Sequence, residues 1–105
     1  MRVAIPSMGE DILSLVSERL GHCRYIIVYD TKKEVHFAVP NPGLLVKDGS
    51  GIKTAEAIIK TGADTLLSME LGVKAYSVLL KEHIRIHLFD SVTTVKDALR
   101  KFSKK

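Results

Sequence analysis

The stretch SGIKTAEAIIKTGADTLLSMELGVKAYSVLLKEHIRIHLF, residues 50–89, alternates between helical and strand patterns. Its first part carries apolar residues at the three- and four-residue spacing of a helix over 50–61, namely Ile52, Ala55, Ile58 and Ile59. Apolar or β-branched runs at 65–69 and 84–89 predict strands, and a second helix is expected between them at 72–82. Such alternation is typical of an α/β fold with a parallel sheet and right-handed crossover connections.

The residues before this stretch predict one more strand and a hairpin. Residues 2–5 read as a strand closed by Pro6, and the dense apolar run at 25–29 pairs with the alternating run at 34–39. Residues 12–20 have helical spacing over a short length, so helix and loop both stay open. After the quoted stretch, Thr94 opens a final helix with a capping-box pattern.

Composition is that of one globular domain spanning residues 1–105. The chain is 46% hydrophobic and 27% charged, with a formal net charge of +4. Part of this charge lies near the C-terminus, where a cluster of cations is either an anion-binding surface or a solvated helix end: Arg100, Lys101, Lys104 and Lys105. Aromatic residues make up 6% of the chain and do not alternate with an arginine-rich stripe, which disfavours a nucleic-acid partner.

The expected cellular location is inferred from features that the sequence does not contain. No apolar run approaches the ~18 residues of a membrane span, so no membrane association is expected. The single cysteine, Cys23, rules out an intramolecular disulfide. The N-terminal residues read as a strand rather than a signal peptide, and a cytoplasmic location is the default expectation.

Several short motifs then occur in a characteristic order along nearly the whole chain. They are the strand at 2–6, VSERLGHCRY at 16–25, Asn-Pro-Gly at 41–43, Gly-Ser-Gly at 49–51, Gly-Ala-Asp at 62–64, Leu-Gly-Val-Lys-Ala at 71–75 and Thr-Val-Lys-Asp-Ala at 94–98. In this order and spacing they resemble the dinitrogenase iron–molybdenum cofactor biosynthesis family, whose members include nitrogenase accessory factors. Two segments depart from the family pattern: residues 20–23 read Leu-Gly-His-Cys instead of Phe-Gly-Arg-Ala, and residues 69–72 read Met-Glu-Leu-Gly instead of Gly-Asn-Ile-Gly.

The resemblance implies both a fold and a role. The fold implied is a three-layer α/β ribonuclease H-like motif, with a five-stranded mixed sheet in the order 3-2-1-4-5, an antiparallel strand 2 and flanking helices. The role implied is that of a non-catalytic carrier for an iron–sulfur or molybdenum-containing cluster or its precursor. Cofactor-assembly proteins are the partners implied, and the chain is expected to be a monomer or homodimer.

The segment at 19–24 is the first candidate for the cofactor-binding site. The thiol of Cys23 and the imidazole of His22 are ligand types that suit iron–sulfur, copper or zinc. Arg19 and Arg24 would favour a thiolate and attract an anion, and Gly21 would let a ligand approach the backbone. The alternative is a packed thiol that behaves as a small hydrophobe, beside a surface histidine.

Two further segments are candidates for the same site. Gly49, Ser50 and Gly51 precede a helix whose first free amides can bind an anion, although glycines are also common helix caps. Met69 and Glu70 follow a parallel strand, and ligands of open α/β sheets bind beyond such strand ends. The alternative is that neither residue binds a ligand, with Met69 packed in the core and Glu70 exposed to solvent.

Signatures of catalysis are missing from the sequence. The chain has no G-x-S-x-G, P-loop or H-E-x-x-H motif, and its carboxylates have no spacing that would hold two metals. A non-enzymatic binding protein is therefore expected. The competing hypothesis is an interaction module that docks on an assembly protein and binds no metal.

Overall fold

The computed structural model describes residues 1–103 and contains a five-stranded mixed sheet in the order β3-β2-β1-β4-β5. The second strand runs antiparallel to both of its neighbours, while the first, fourth and fifth strands are parallel. The predicted strand order and the antiparallel second strand are thus confirmed. The strands are β1 (Arg2–Ser7), β2 (Tyr25–Asp30), β3 (Val35–Pro40), β4 (Thr65–Ser68) and β5 (Arg85–Leu88).

Three helices cover the two faces of the sheet: α1 (Ser50–Lys60), α2 (Val73–Lys81) and α3 (Val95–Ser103). Side chains of successive strand residues point to opposite faces, so each central strand supplies two cores. Ala4 and Leu66 pack in the core that α1 and α2 cover, whereas Val3 and Leu67 pack in the core under α3. The molecule therefore has three layers, as expected for this α/β class.

In the first half, one local prediction was wrong and one open alternative is resolved. Pro6 does not end β1, which continues to Ser7 with Pro6 paired to Ile26. Proline is tolerated there because the parallel pairing of β1 with β4 covers only Val3 and Ala4, so the nitrogen of Pro6 faces no ladder acceptor. Residues 12–20 form no α-helix and instead make isolated bridges and turns, followed by a short 3₁₀ turn at Leu20–His22.

The helix boundaries follow from local hydrogen bonding. Thr94 Oγ1 accepts a hydrogen bond from the Asp97 amide at 3.1 Å, as predicted for a cap of α3. The Asp97 carboxylate accepts a hydrogen bond from the Thr93 hydroxyl, so the second hydrogen bond of a capping box, to the Thr94 amide, is not formed. Gly62 has a φ of +81° just past α1, as expected for a glycine helix stop. Within residues 1–103, no helix has both the length and the apolar character needed to cross a membrane.

Candidate functional site

A cleft lies beyond the carboxyl ends of β1 and β4, where the connectivity of the sheet changes direction. The chain leaves β1 towards β2 on one side and reaches β4 through α1 on the other, and such a switch point is where open α/β sheets bind ligands. The cleft has a volume of about 370 Å³. We call it the switch-point cleft. It is lined by Arg19, Leu20, Gly21, His22, Ser50, Gly51, Glu70, Leu71 and Gly72.

Direct contacts hold the three segments of the cleft together. The Leu20 amide donates to the Glu70 carbonyl at 3.2 Å, which joins the loop 19–22 to the segment after β4. The same loop lies against the start of α1 at Gly21. A Cβ at Gly21 would meet Ser50 Oγ at 2.6 Å and the Gly51 amide nitrogen at 3.0 Å, so this close approach requires glycine.

Both helices that begin at the cleft leave their first amides without a side-chain cap. The N-cap residues are Gly49 for α1 and Gly72 for α2, neither helix has an acidic residue in its first turn, and neither cap forms a side-chain hydrogen bond. Free first-turn amides and the positive ends of helix dipoles attract anions. Arg19 adds a cation to the lining, while Glu70 contributes the single carboxylate.

A buried polar network fixes the start of α1. Asn41 Oδ1 accepts from the Gly43 amide at 2.9 Å and from the Thr54 hydroxyl at 2.8 Å, while Asn41 Nδ2 donates to the Cys23 carbonyl at 2.8 Å. Thr54 Oγ1 also lies 2.8 Å from the Ser50 carbonyl. Asn41 therefore links the loop at 19–24 to α1. Sequence reasoning treated Asn41 only as part of a family motif and assigned it no structural role.

The structure places Cys23, one of the two predicted metal ligands, in the core. Its side chain has no solvent exposure and packs in the core beneath α1 and α2, with Leu20 and Ala55 among its cluster. Burial raises the pKa of the Cys23 thiol to about 12, against the weaker lowering effect of hydrogen bonds. A protonated core thiol does not supply a thiolate, so the structure favours the packed-thiol alternative.

Three other predicted site residues lie outside the lining. Met69 is half-buried and packs against the core under α3, because strand alternation turns it away from the cleft. Arg24 contributes its backbone, which bonds to Ser7 and Asn41, while its side chain is exposed and absent from the lining. Gly49 adopts a φ of +74° and shapes the start of α1 without lining the cleft.

The remaining six predicted residues meet in one place: Arg19, Gly21, His22, Ser50, Gly51 and Glu70. Among them only His22 and Glu70 carry side chains that ligate metals well. Over residues 1–103, no three His, Cys, Asp or Glu side chains are grouped to hold a metal ion. The cleft is therefore suited to binding a preformed anion through amides and a cation rather than to chelating a bare metal ion.

A second depression continues from the cleft along the loop 19–22. Arg19 and His22 line both, and the far side of the depression carries apolar side chains, Met8, Leu15 and Val92, that are 43%, 53% and 47% exposed. This apolar depression gives the mouth of the cleft a hydrophobic border. Outside both linings, the hydroxyl of Ser68 at the end of β4 is buried and has no hydrogen-bond partner within residues 1–103.

Comparison with known proteins agrees with this fold. The apo form of the orange protein from Desulfovibrio gigas superimposes with a TM-score of 0.92 and 28% identity, covering 98% of this chain and 87% of that chain. A proposed NifB protein from Thermotoga superimposes with a TM-score of 0.85 and 32% identity, at the same coverages of 98% and 87%. A search of curated proteins gave no match. The family model described as dinitrogenase iron-molybdenum cofactor matches residues 1–105, and the chain therefore belongs to that family.

Proposed function

We propose that this domain is a non-catalytic carrier that binds an anionic iron–sulfur or molybdenum-containing cluster, or its precursor, in the switch-point cleft. The observation that carries the proposal is the convergence of two uncapped helix starts and Arg19 on one cleft at the sheet switch point. The family assignment supports a cofactor-related cargo. The orange protein is described in an apo form, which implies that it also has a form with a bound group.

The charge of the cargo fits the donors that the cleft offers. Thiomolybdates are anions, and iron–sulfur cores become anionic once thiolates or additional sulfides complete their coordination. First-turn amides and a guanidinium bind such anions well. His22 and Glu70 supply one imidazole and one carboxylate that would contact an exposed metal of the cluster. Because these contacts are few and the cleft is open, the cargo would be held reversibly, as a carrier requires.

The apolar depression supports a docking role for the same end of the molecule. Its exposed side chains border Arg19 and His22, so a partner covering them would also face the cargo. We infer that cofactor-assembly proteins dock there during transfer. The competing hypothesis of a metal-free interaction module rests on this same depression and predicts docking without any cargo.

The test is loading under oxygen-free conditions. Protein incubated with iron(II) and sulfide, or with molybdate and sulfide, then desalted, should retain metal and absorb visible light. The Arg19→Ala/His22→Ala variant should retain about a tenth as much, because it removes the charged and imidazole contacts. The matched control is Arg85→Ala/His87→Ala, which removes the same residue types from β5, away from the cleft.

The Cys23→Ala variant separates this proposal from ligation by the thiol. Since the thiol is sealed in the core, Cys23→Ala should load like the unchanged protein. Loss of loading in Cys23→Ala, with retention in Arg19→Ala/His22→Ala, would contradict the cleft assignment. A protein that takes up neither metal under these conditions, yet captures an assembly protein, would support the interaction module instead.

A further inference from the structure

A second, larger groove lies at the opposite end of the sheet from the switch-point cleft. It opens between α3 and the sheet near the amino-terminal ends of β1 and β5, and has a volume of about 720 Å³. It shares no residue with the cleft. This α3 groove is lined by Met1, Ile12, Tyr29, Thr31, Arg85, His87, Lys96, Leu99, Arg100, Phe102 and Ser103.

The charged side chains of the α3 groove are all cations. Lys96 and Arg100 are spaced by four residues and therefore project from the same face of α3, and Arg85 approaches from β5. Among residues 1–103, no aspartate or glutamate lines the groove. Arg100 contacts Asp97 at 3.8 Å on the exposed helix surface, while Arg85 and Lys96 form no ion pair within residues 1–103.

The floor of the α3 groove is apolar. Ile12, Tyr29, Leu99 and Phe102 line it and are each only partly buried by the rest of the fold. The ring of Phe102 is held edge-on against His87, with 4.9 Å between ring centroids, so the floor has a defined shape. A cationic rim over an apolar floor is complementary to a ligand that combines carboxylates with apolar side chains.

We propose that the α3 groove docks an acidic segment of a partner protein, with aliphatic or aromatic side chains seated on the floor and carboxylates paired with Arg85, Lys96 and Arg100. The chemistry does not depend on the cargo proposal, because the two sites lie at opposite ends of the sheet. A partner held by the α3 groove leaves the cleft and its apolar depression open. The domain would thus stay attached to a partner while it accepts or releases a ligand.

The test measures fluorescence anisotropy of a short labelled peptide in which glutamates alternate with leucine and phenylalanine. The peptide should bind, and Lys96→Glu/Arg100→Glu should weaken its binding about tenfold or more. The matched control, Lys60→Glu/Lys81→Glu, makes the same charge change on exposed ends of α1 and α2 across the sheet. It should bind nearly as the unchanged protein does, with thermal unfolding confirming that all variants fold.

Two companion probes separate the proposed occupant from others. A peptide of equal charge with serine in place of leucine and phenylalanine should bind about tenfold more weakly, and equal binding would overturn the role of the apolar floor. A single-stranded oligonucleotide that binds more tightly than the peptide, and loses binding in Lys96→Glu/Arg100→Glu, would overturn the assignment to a protein partner. Equal peptide binding by all the charge variants would overturn the groove itself.

Discussion

Gly21 shows how a single missing side chain shapes the cleft. Its Cα approaches the start of α1 so closely that a Cβ would overlap Ser50 Oγ and the Gly51 nitrogen. Gly51, only one residue further along α1 from Ser50, has no such constraint, because a Cβ there would meet Ala75 Cβ at 3.7 Å, an ordinary contact. Two glycines in the same lining therefore have different reasons to be there.

The two alanine substitutions should consequently have opposite effects. Gly21→Ala forces the loop 19–22 away from α1 and should lower the free energy of unfolding by about 1–3 kcal/mol. Gly51→Ala places a better helix former inside α1 and should raise it by about 0.5–1 kcal/mol. Urea unfolding measures both. Destabilisation of equal size in the two variants would contradict the close approach of loop and helix.

Burial of the Cys23 thiol predicts how the free energy of unfolding changes with pH. The native thiol stays protonated until its raised pKa of about 12, whereas in the unfolded chain it ionises near the ordinary value of 9.0. Between these values the unfolded chain binds fewer protons, so stability falls as pH rises, and below pH 9 this contribution is intact. The slope expected is about 1.4 kcal/mol per pH unit.

The measurement is urea unfolding at about pH 8 and about pH 10.5, with Cys23→Ala as the reference. Lysine and tyrosine titrations are common to both proteins and cancel in the difference. The unchanged protein should lose more stability than Cys23→Ala over this range. Parallel losses would show that the thiol is not held protonated in the core.

At the scale of elements, the glycine N-caps of α1 and α2 leave the first amides free, and each helix is less stable than it would be with a side-chain cap. Gly72 has an extended conformation, with φ of −72° and ψ of 162°, which aspartate at an N-cap also adopts. Gly72→Asp should stabilise the protein by about 0.5–1 kcal/mol, through a cap hydrogen bond and the helix dipole. The same change should weaken anion loading about tenfold, because the carboxylate occupies the amides and repels the cargo.

A neutral cap separates these two causes. Gly72→Asn offers the same hydrogen-bond acceptor without the charge, so it should keep only the gain from the cap hydrogen bond, about a few tenths of a kcal/mol, and weaken loading less than Gly72→Asp does. Thermal unfolding and metal retention give the two readouts. A variant that gains stability and loads normally would show that the α2 amides do not contact the cargo.

Periodicity predicted the elements well because each of them buries an apolar face. Helix α1 was recognisable from the helical spacing of its core residues, and strand β4 from a short continuous apolar run. Residues 12–20 stayed open between helix and loop because Leu15 and Val16 form bridges to Thr94 and Ser7, which are distant contacts that local pattern does not encode. For Cys23 the sequence left a ligand and a packed thiol both open for a related reason, since its burial depends on long-range packing.

At the scale of the whole molecule, the sheet separates two surfaces of different chemistry. The carboxyl ends of β1 and β4 lead to the switch-point cleft, which joins three segments far apart in sequence. The amino-terminal ends of β1 and β5 border the cationic α3 groove. A ligand at either surface bridges elements that separate on unfolding, so each ligand should stabilise the entire fold.

Combined loading tests whether the two surfaces act independently. A ligand present at a hundred times its Kd adds about 2.7 kcal/mol to the free energy of unfolding. For a domain of this size each kcal/mol raises Tm by about 4–8 °C, so metal loading or saturating acidic peptide alone should give a clear shift in Tm.

With both ligands bound, the free-energy gains should add, because the sites share no residue and their surfaces are far apart. Arg19→Ala/His22→Ala should lower only the metal-dependent gain, and Lys96→Glu/Arg100→Glu should lower only the peptide-dependent gain. A sum that falls well short would mean that one ligand weakens binding of the other, and the sheet would then couple the two ends instead of insulating them.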